Sequence, residues 1–263
     1  MLRPDRLWPA LIAGALAVVA GGCGKGAERV QRGAGTTAPE YVVRDSAQVR
    51  RQVQYQDQLA LAGRDLQAGN LESAEKRARA ALKIDGSAPD AWGLLAGVAD
   101  RRGQVAQSGE LFRKAADMAP ERGDVLNNYG AWLCQHGRPA ESLAWLDRAI
   151  AAPGYATPEV AQANAGSCAL DAGQSVRAER DLRAALVRMP ANPVALEAMA
   201  QLSLQRGQYL EARAFAERRL SAAPATRSVL QLASQIEARL GDQAAADRYL
   251  QRIGKEFPQD AGS

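Results

Sequence analysis

Several side chains that could catalyse a reaction, bind a metal or form hydrogen bonds fall within one short stretch, VLNNYGAWLCQHGRPAES, at residues 125–142. It carries two asparagines, Cys134 and the only histidine of the chain, His136. One histidine excludes a multi-histidine metal site, and we expect no catalytic triad around it. Because His136 precedes a helix-ending glycine, we interpret it as a solvent-facing residue favoured by the helix dipole. The sequence therefore predicts no enzyme, no metal and no cofactor.

The composition favours packed helices over sheets. Aromatic residues make up 5% of the 263 residues, whereas hydrophobic residues reach 47%, largely through alanine and leucine. The formal net charge is +4, and the arginines are spread along the chain. A nucleic-acid binder is expected to show a basic stripe with interleaved aromatic residues, and the sequence has none. We expect neither a nucleic-acid partner nor a small-molecule substrate.

Residues 1–22 are typical of a secretory signal peptide. Two arginines precede the apolar run 7–20, which is shorter than the roughly 20 residues that span a membrane. Small residues then lead to Cys23, which resembles the acylated cysteine of bacterial lipoproteins, although Ala20 stands where leucine is usual. We expect lipidation at Cys23. The alternative is ordinary cleavage nearby, which leaves Cys23 as a free thiol or removes it.

The residues after the predicted lipid anchor indicate a location and a tether. Gly24 follows Cys23, and by resemblance to lipoprotein sorting in Gram-negative bacteria the absence of aspartate there favours the outer membrane. Residues 23–46 are rich in glycine, alanine, arginine, threonine and proline, with little periodicity. This composition predicts a flexible tether with a reach of roughly 25 Å.

Glycine recurs at a nearly constant interval. Six glycines are separated by 34, 34, 36, 34 and 34 residues: Gly69, Gly103, Gly137, Gly173, Gly207 and Gly241. A small residue stands five residues after and seven residues before each of them, and seventeen residues after each stands glycine or proline. Glycine adopts the left-handed C-cap conformation and proline cannot continue a helix, so both columns predict helix ends. We refer to the two sets of small residues, five after and seven before each glycine, as the small columns. They predict that the two antiparallel helices of a pair cross closely there.

This pattern resembles the tetratricopeptide repeat. We therefore predict an all-α fold, a tetratricopeptide-repeat solenoid of six helix pairs in a right-handed superhelix over residues 47–260. The predicted repeats are 55–88, 89–122, 123–156, 159–192, 193–226 and 227–260. Residues 157–158 are expected to be a loop insertion between the third and fourth repeats. At Arg219 the pattern expects a small residue, so we expect that helix to be rotated or its face partly exposed.

Two cysteines remain in the predicted solenoid. Cys134 and Cys168 lie in the first helices of neighbouring repeats, which pack side by side in this architecture. If Cys23 carries lipid, two cysteines remain, and cysteines of secreted proteins commonly pair in disulfides. We expect a disulfide between them, and the alternative is two buried thiols.

The segment from Asn127 to Cys168 resembles the type IV pilus biogenesis lipoproteins called PilF or PilW. The resemblance rests on the motifs NNYG, WLC, GRPAES and NAG, and on Pro153, Tyr155, Pro158 and Cys168. It implies a pilotin, a lipid-anchored protein on the periplasmic face of the outer membrane. Such a protein binds the type IV pilus secretin and promotes its localisation and multimerisation, as pilus biogenesis requires.

The inner face of the solenoid is the expected partner groove. The fifth position of a repeat faces this groove, so Asn127 is a candidate contact, against a local capping or packing role. By the same logic Leu59, Leu66 and Leu170 would line the groove as apolar seats for a partner segment, or would belong to the core. A general envelope scaffold for peptidoglycan synthesis or outer-membrane assembly is the competing function, and a periplasmic enzyme has only His136 in its favour.

Overall fold

The computed structural model describes residues 46–258, which form twelve α-helices and no strand. The helices are α1 Ala47–Gln67, α2 Leu71–Ile84, α3 Pro89–Arg101, α4 Val105–Met118, α5 Gly123–Gln135, α6 Pro139–Ala151, α7 Pro158–Asp171, α8 Ser175–Arg188, α9 Pro193–Gln205, α10 Tyr209–Ala222, α11 Arg227–Leu240 and α12 Gln243–Glu256. This confirms the predicted all-α fold of six helix pairs. The predicted signal peptide 1–22 and tether 23–46 lie outside the described residues, except Ser46, whose hydroxyl caps α1.

The helices are arranged in two layers. Each odd-numbered helix packs against the even-numbered helix that follows it, and it also contacts the next odd-numbered helix along the chain. Within the described residues, the backbones of even-numbered helices do not approach one another closely, although Arg177 of α8 binds Asp147 of α6 at 2.5 Å. The odd-numbered helices therefore line the inner, concave side of the solenoid, and the even-numbered helices lie on its outer side. No helix in residues 46–258 combines the length and the hydrophobicity that crossing a membrane requires.

The glycine column ends the first helix of each pair. All six glycines have positive φ angles between 72° and 84°. In every case the amide of the following residue donates to the carbonyl five residues earlier, as Asn70 does to Asp65 at 2.8 Å and Gln174 to Ala169 at 2.7 Å. These are the long bonds of the Schellman motif, which satisfies carbonyls that the helix leaves unpaired. The predicted left-handed caps are confirmed.

The two small columns meet where the helices of a pair cross. Where serine occupies either column, its hydroxyl donates to the backbone carbonyl of the residue in the other column. Ser142 donates to Gly130 at 2.7 Å, and Ser234 donates to Ala246 at 3.1 Å. A small side chain lets the backbones approach, and the serine hydroxyl then finds a buried acceptor within reach.

In the third and fourth repeats, glycine brings the helices still closer. A Cβ placed on Gly166 would lie 2.6 Å from Leu182 Cγ and 2.9 Å from the Leu182 backbone nitrogen. A Cβ placed on Gly130 would lie 2.8 Å from Leu146 Cγ. Leu146 and Leu182 are fully buried, so neither has room to retreat.

Arg219 does not behave as its place in the pattern predicted. We expected a rotated helix or a partly exposed face, but Arg219 is only 5% exposed and lies within the regular helix α10. Its Nε donates to Glu197 at 3.1 Å, and its Nη1 donates to the carbonyls of Ala223 and Pro224 at 3.3 and 3.2 Å. The expectation of an exposed face was wrong, because a guanidinium that pairs with a carboxylate and caps the end of its own helix can be buried.

Replacing Gly166 by alanine tests the close crossing. Alanine normally improves a helix interior by about 1 kcal/mol, but here its Cβ would collide with Leu182. We expect Gly166→Ala to lower the free energy of unfolding by about 1–2 kcal/mol, because overpacking outweighs helix propensity. Denaturant unfolding followed by circular dichroism measures this.

Gly63→Ala is the matched control, since Gly63 lies within α1 and a Cβ there would have no atom within 4 Å. It should raise the free energy of unfolding by about 0.5–1 kcal/mol. A Gly166→Ala variant as stable as the Gly63→Ala variant would show that the crossing is not tightly packed.

Candidate partner-binding surface

A groove of about 780 Å³ runs along the inner side of the first three repeats. Its walls come from α1, α3 and α5, and α4 contributes two residues. Leu59 and Leu66, two of the predicted groove residues, line it and are half-buried. Leu94, Phe112 and Val125 extend the apolar lining. We name this the first groove.

Glycines form part of the surface of the first groove. Gly63 of α1 and Gly93 of α3 both line it, and a Cβ on either would meet no atom within 4 Å. Glycine within a helix costs about 1 kcal/mol relative to alanine, and no neighbouring atom requires it at these two positions. The open glycines widen the groove and allow another backbone to approach closely. Both lie outside the column of capping glycines, and this departure from the pattern is a signal in the sequence by which the groove could have been found.

The first groove is acidic, and its carboxylates are compensated by neighbouring groups. Asp90, Asp100 and Asp124 line it, whereas no lysine or arginine does. Arg122 donates twice to Asp90, at 2.8 Å each, and also binds Asp124. Burial opposes ionisation of Asp124, but the hydrogen bond and charge of Arg122 prevail and hold its pKa below the ordinary value.

His136 is engaged in a contact between repeats. Its Nε2 lies 2.8 Å from Asp100 Oδ1, which also accepts from Trp132 Nε1 at 2.9 Å. The rings of His136 and Trp132 are 4.6 Å apart, and His136 is half-buried rather than solvent-facing. In the same position before the capping glycine, Arg102 and Arg206 bind glutamates of the preceding repeat at 2.7 and 2.6 Å. The geometry therefore gives His136 a structural role.

The junction between α5 and α7 carries three of the predicted site residues. Asn127 is 7% exposed, and its Oδ1 accepts from Asn164 Nδ2 at 2.9 Å, which is the packing role that the sequence left open. Further along the same helices, Cys134 and Cys168 are joined by a disulfide, with their Cα atoms 5.8 Å apart. We name this pair of contacts the seam. It joins the third and fourth repeats on the inner side of the solenoid.

Leu170 lies beyond the seam and away from the other two leucines. It lines a separate groove of about 320 Å³ between α7, α9 and α11, which we name the second groove. The predicted groove residues therefore do not form one surface. Leu59 and Leu66 belong to the first groove, Leu170 belongs to the second, and Asn127 lies in the seam between them.

The fold and the concave inner surface define this chain as a tetratricopeptide-repeat protein. A tetratricopeptide-repeat protein from Parabacteroides merdae has the same fold, with a TM-score of 0.61 over 79% of this chain and 80% of that one, at 15% identity. No family model matches the chain.

Two relatives then identify the family. The structure of PilW, described as a widely conserved type IV pilus biogenesis factor, is 30% identical, with a TM-score of 0.67 over 82% of this chain and 97% of that chain. The structure of PilF from Pseudomonas aeruginosa is 25% identical, with a TM-score of 0.66 over 80% and 95% of the two chains. The type IV pilus assembly protein PilF of the same species is 32% identical over 151 residues, which are 57% of this chain and 60% of that protein. The chain belongs to the PilF/PilW family, and the resemblance read from its sequence is confirmed.

We expect the disulfide of the seam to stabilise the fold substantially. It closes a loop with a sequence separation of 34, for which the chain-entropy model predicts about 3–4 kcal/mol. The double replacement Cys134→Ala and Cys168→Ala should lower the free energy of unfolding by that amount, as measured by denaturant titration. Reductant should destabilise the wild type and leave the double variant unchanged. Two thiols that react with a thiol reagent in unfolded, unreduced wild type, beyond any at Cys23, would contradict the bond.

Proposed function

We propose that this protein is a non-enzymatic pilotin of type IV pilus biogenesis. It binds the pilus secretin subunit and promotes its localisation to the outer membrane and its multimerisation there. The observation that carries the proposal is the apolar, glycine-lined first groove on the inner face of a chain that belongs to the PilF/PilW family. Binding alone accounts for this role, and it requires no catalytic group.

The shape of the first groove supports recognition of a polypeptide segment. Leu59 and Leu66 provide apolar seats on one wall, and Gly63 between them leaves the backbone of α1 accessible. A groove that is open along its length can hold a partner helix or an extended strand, because both present side chains to it at regular intervals. Asp90 and Asp124 at the edge of the groove are already paired with Arg122. The apolar surface would therefore provide most of the affinity for a partner.

The proposed location follows from the N-terminal residues. Lipidation of Cys23 would anchor the protein to the periplasmic face of the outer membrane, and residues 23–46 would connect the anchor to α1. A secretin subunit bound in the first groove would then be held close to the membrane in which its ring assembles. One acyl chain binds a membrane only marginally, so the several chains of a bacterial lipoprotein are needed for a stable anchor.

Deletion of the protein tests the proposed role. Outer-membrane fractions run unheated on a gel and probed for secretin should lose the high-mass multimers, and the cells should lose surface pili. Wild type should restore both, whereas Cys23→Ser should not, because the anchor is missing. Multimers that persist in the deletion strain would contradict the pilotin role and would favour a scaffold for peptidoglycan synthesis or outer-membrane assembly.

A groove-filling variant tests the contact surface. Gly63→Leu places a side chain in the first groove, at a position where a Cβ would meet no atom within 4 Å. It should lower secretin multimers by about tenfold or more, as loss of one well-packed anchor does. Gly254→Leu is the matched control, because Gly254 is an exposed helical glycine of α12 whose Cβ would also meet no atom within 4 Å. Equal activity of the two variants would place the secretin contact elsewhere.

A further inference from the structure

The second groove is a separate surface on the inner side of the last three repeats. It opens between α7, α9 and α11 and has a volume of about 320 Å³, enough for one or two side chains rather than a whole helix. The seam lies between it and the first groove, since α5 lines only the first groove and α7 lines only the second. A segment in one groove therefore leaves the other free.

The floor of the second groove is apolar. Leu170, Ala198 and Leu232 are buried and pack into the core, with their edges facing the groove. Val194 stands among them with 40% of its surface exposed, so the apolar surface of the floor extends to the solvent. This floor would accept an aliphatic side chain and would gain apolar burial from it.

One of the two carboxylates on the rim is already satisfied. Glu197 Oε2 accepts from the buried Arg219 at 3.1 Å, and Glu197 Oε1 accepts from Ser228 at 2.8 Å. These bonds hold α9, α10 and α11 together. The charge of Glu197 is therefore matched within the protein.

The other carboxylate, Asp171, has no such partner. Among the described residues it forms no ion pair, and no lysine or arginine lines the second groove. Its Oδ2 lies 3.8 Å from Cys134 Sγ, which carries no proton in the disulfide. Asp171 is exposed at the mouth of the groove, and partial desolvation by the neighbouring residues raises its pKa above the ordinary value.

Asp171 also occupies an unfavourable position in its helix. It is the last residue of α7, where the helix dipole disfavours a negative charge. Neither a cation of the described residues nor the helix dipole stabilises the charge of this carboxylate. An exposed carboxylate without an internal cation, at the mouth of an apolar groove, can pair with a cation of a bound segment.

We propose that the second groove is a docking site for an apolar peptide segment of a partner protein that carries a lysine or arginine, with the cation pairing with Asp171 and an aliphatic neighbour seated against Val194. The guanidinium of arginine suits a carboxylate especially well, because it donates two parallel hydrogen bonds. This site is independent of the secretin contact in the first groove.

Two short peptides test the site by nuclear magnetic resonance. The mature chain carrying Cys23→Ser is titrated with acetyl-LVRL-amide and with acetyl-LVQL-amide, up to about 10 mM. We expect the arginine peptide to shift the amide signals of residues 167–171, 194–201 and 228–232. It should bind about fivefold more tightly than the glutamine peptide, the scale of one partly exposed ion pair.

Two variants isolate the role of the carboxylate. Asp171→Asn should bind both peptides equally, and it should fold normally, since it removes an unfavourable charge from a helix end. Glu110→Gln, which neutralises an exposed carboxylate on the outer helix α4, should keep the fivefold preference. The proposal is overturned by the absence of shifts in the second groove, by equal binding of the two peptides to wild type, or by a preference retained in Asp171→Asn.

Discussion

The close crossing of the two helices in each pair determines the rest of this structure. Two columns of alanine, serine and glycine let backbone approach backbone, and the serine hydroxyls bond directly to the opposite carbonyl. Each crossing sets the spacing of the first helices along the inner side. The grooves exist because those helices are held apart by their packing on the outer helices, while few large side chains fill the inner surface.

The architecture was predictable because it repeats. Six helix ends share one cap and six crossings share one pair of columns, so the signal accumulates over the chain even where a single repeat is ambiguous. The candidate site was predicted only in part. Leu59 and Leu66 follow from their helical register, whereas Gly63 and Gly93 depart from the repeating pattern. Periodicity predicts the positions that all repeats share, so it does not predict the role of residues outside the shared pattern.

Contacts between helices explain what the sequence left undetermined. His136 reaches Asp100 and Asn127 reaches Asn164 across sequence separations of 36 and 37 residues, and Arg219 reaches Glu197 across 22. No local pattern specifies which polar group will face a given side chain at that distance. His136 and Arg219 were for this reason expected to face solvent or to disturb their helices, although each is paired with a carboxylate of a neighbouring helix.

The disulfide of the seam has a consequence for the mechanics of the solenoid. A solenoid can bend along its length, because each repeat contacts only its neighbours and small rotations at successive junctions add up. A covalent bond between the third and fourth repeats restrains the central junction of the solenoid. We therefore expect bending mainly at the junctions within each half, three repeats on either side. Each half carries one groove, so we expect a change in the width of one groove to have little effect on the other.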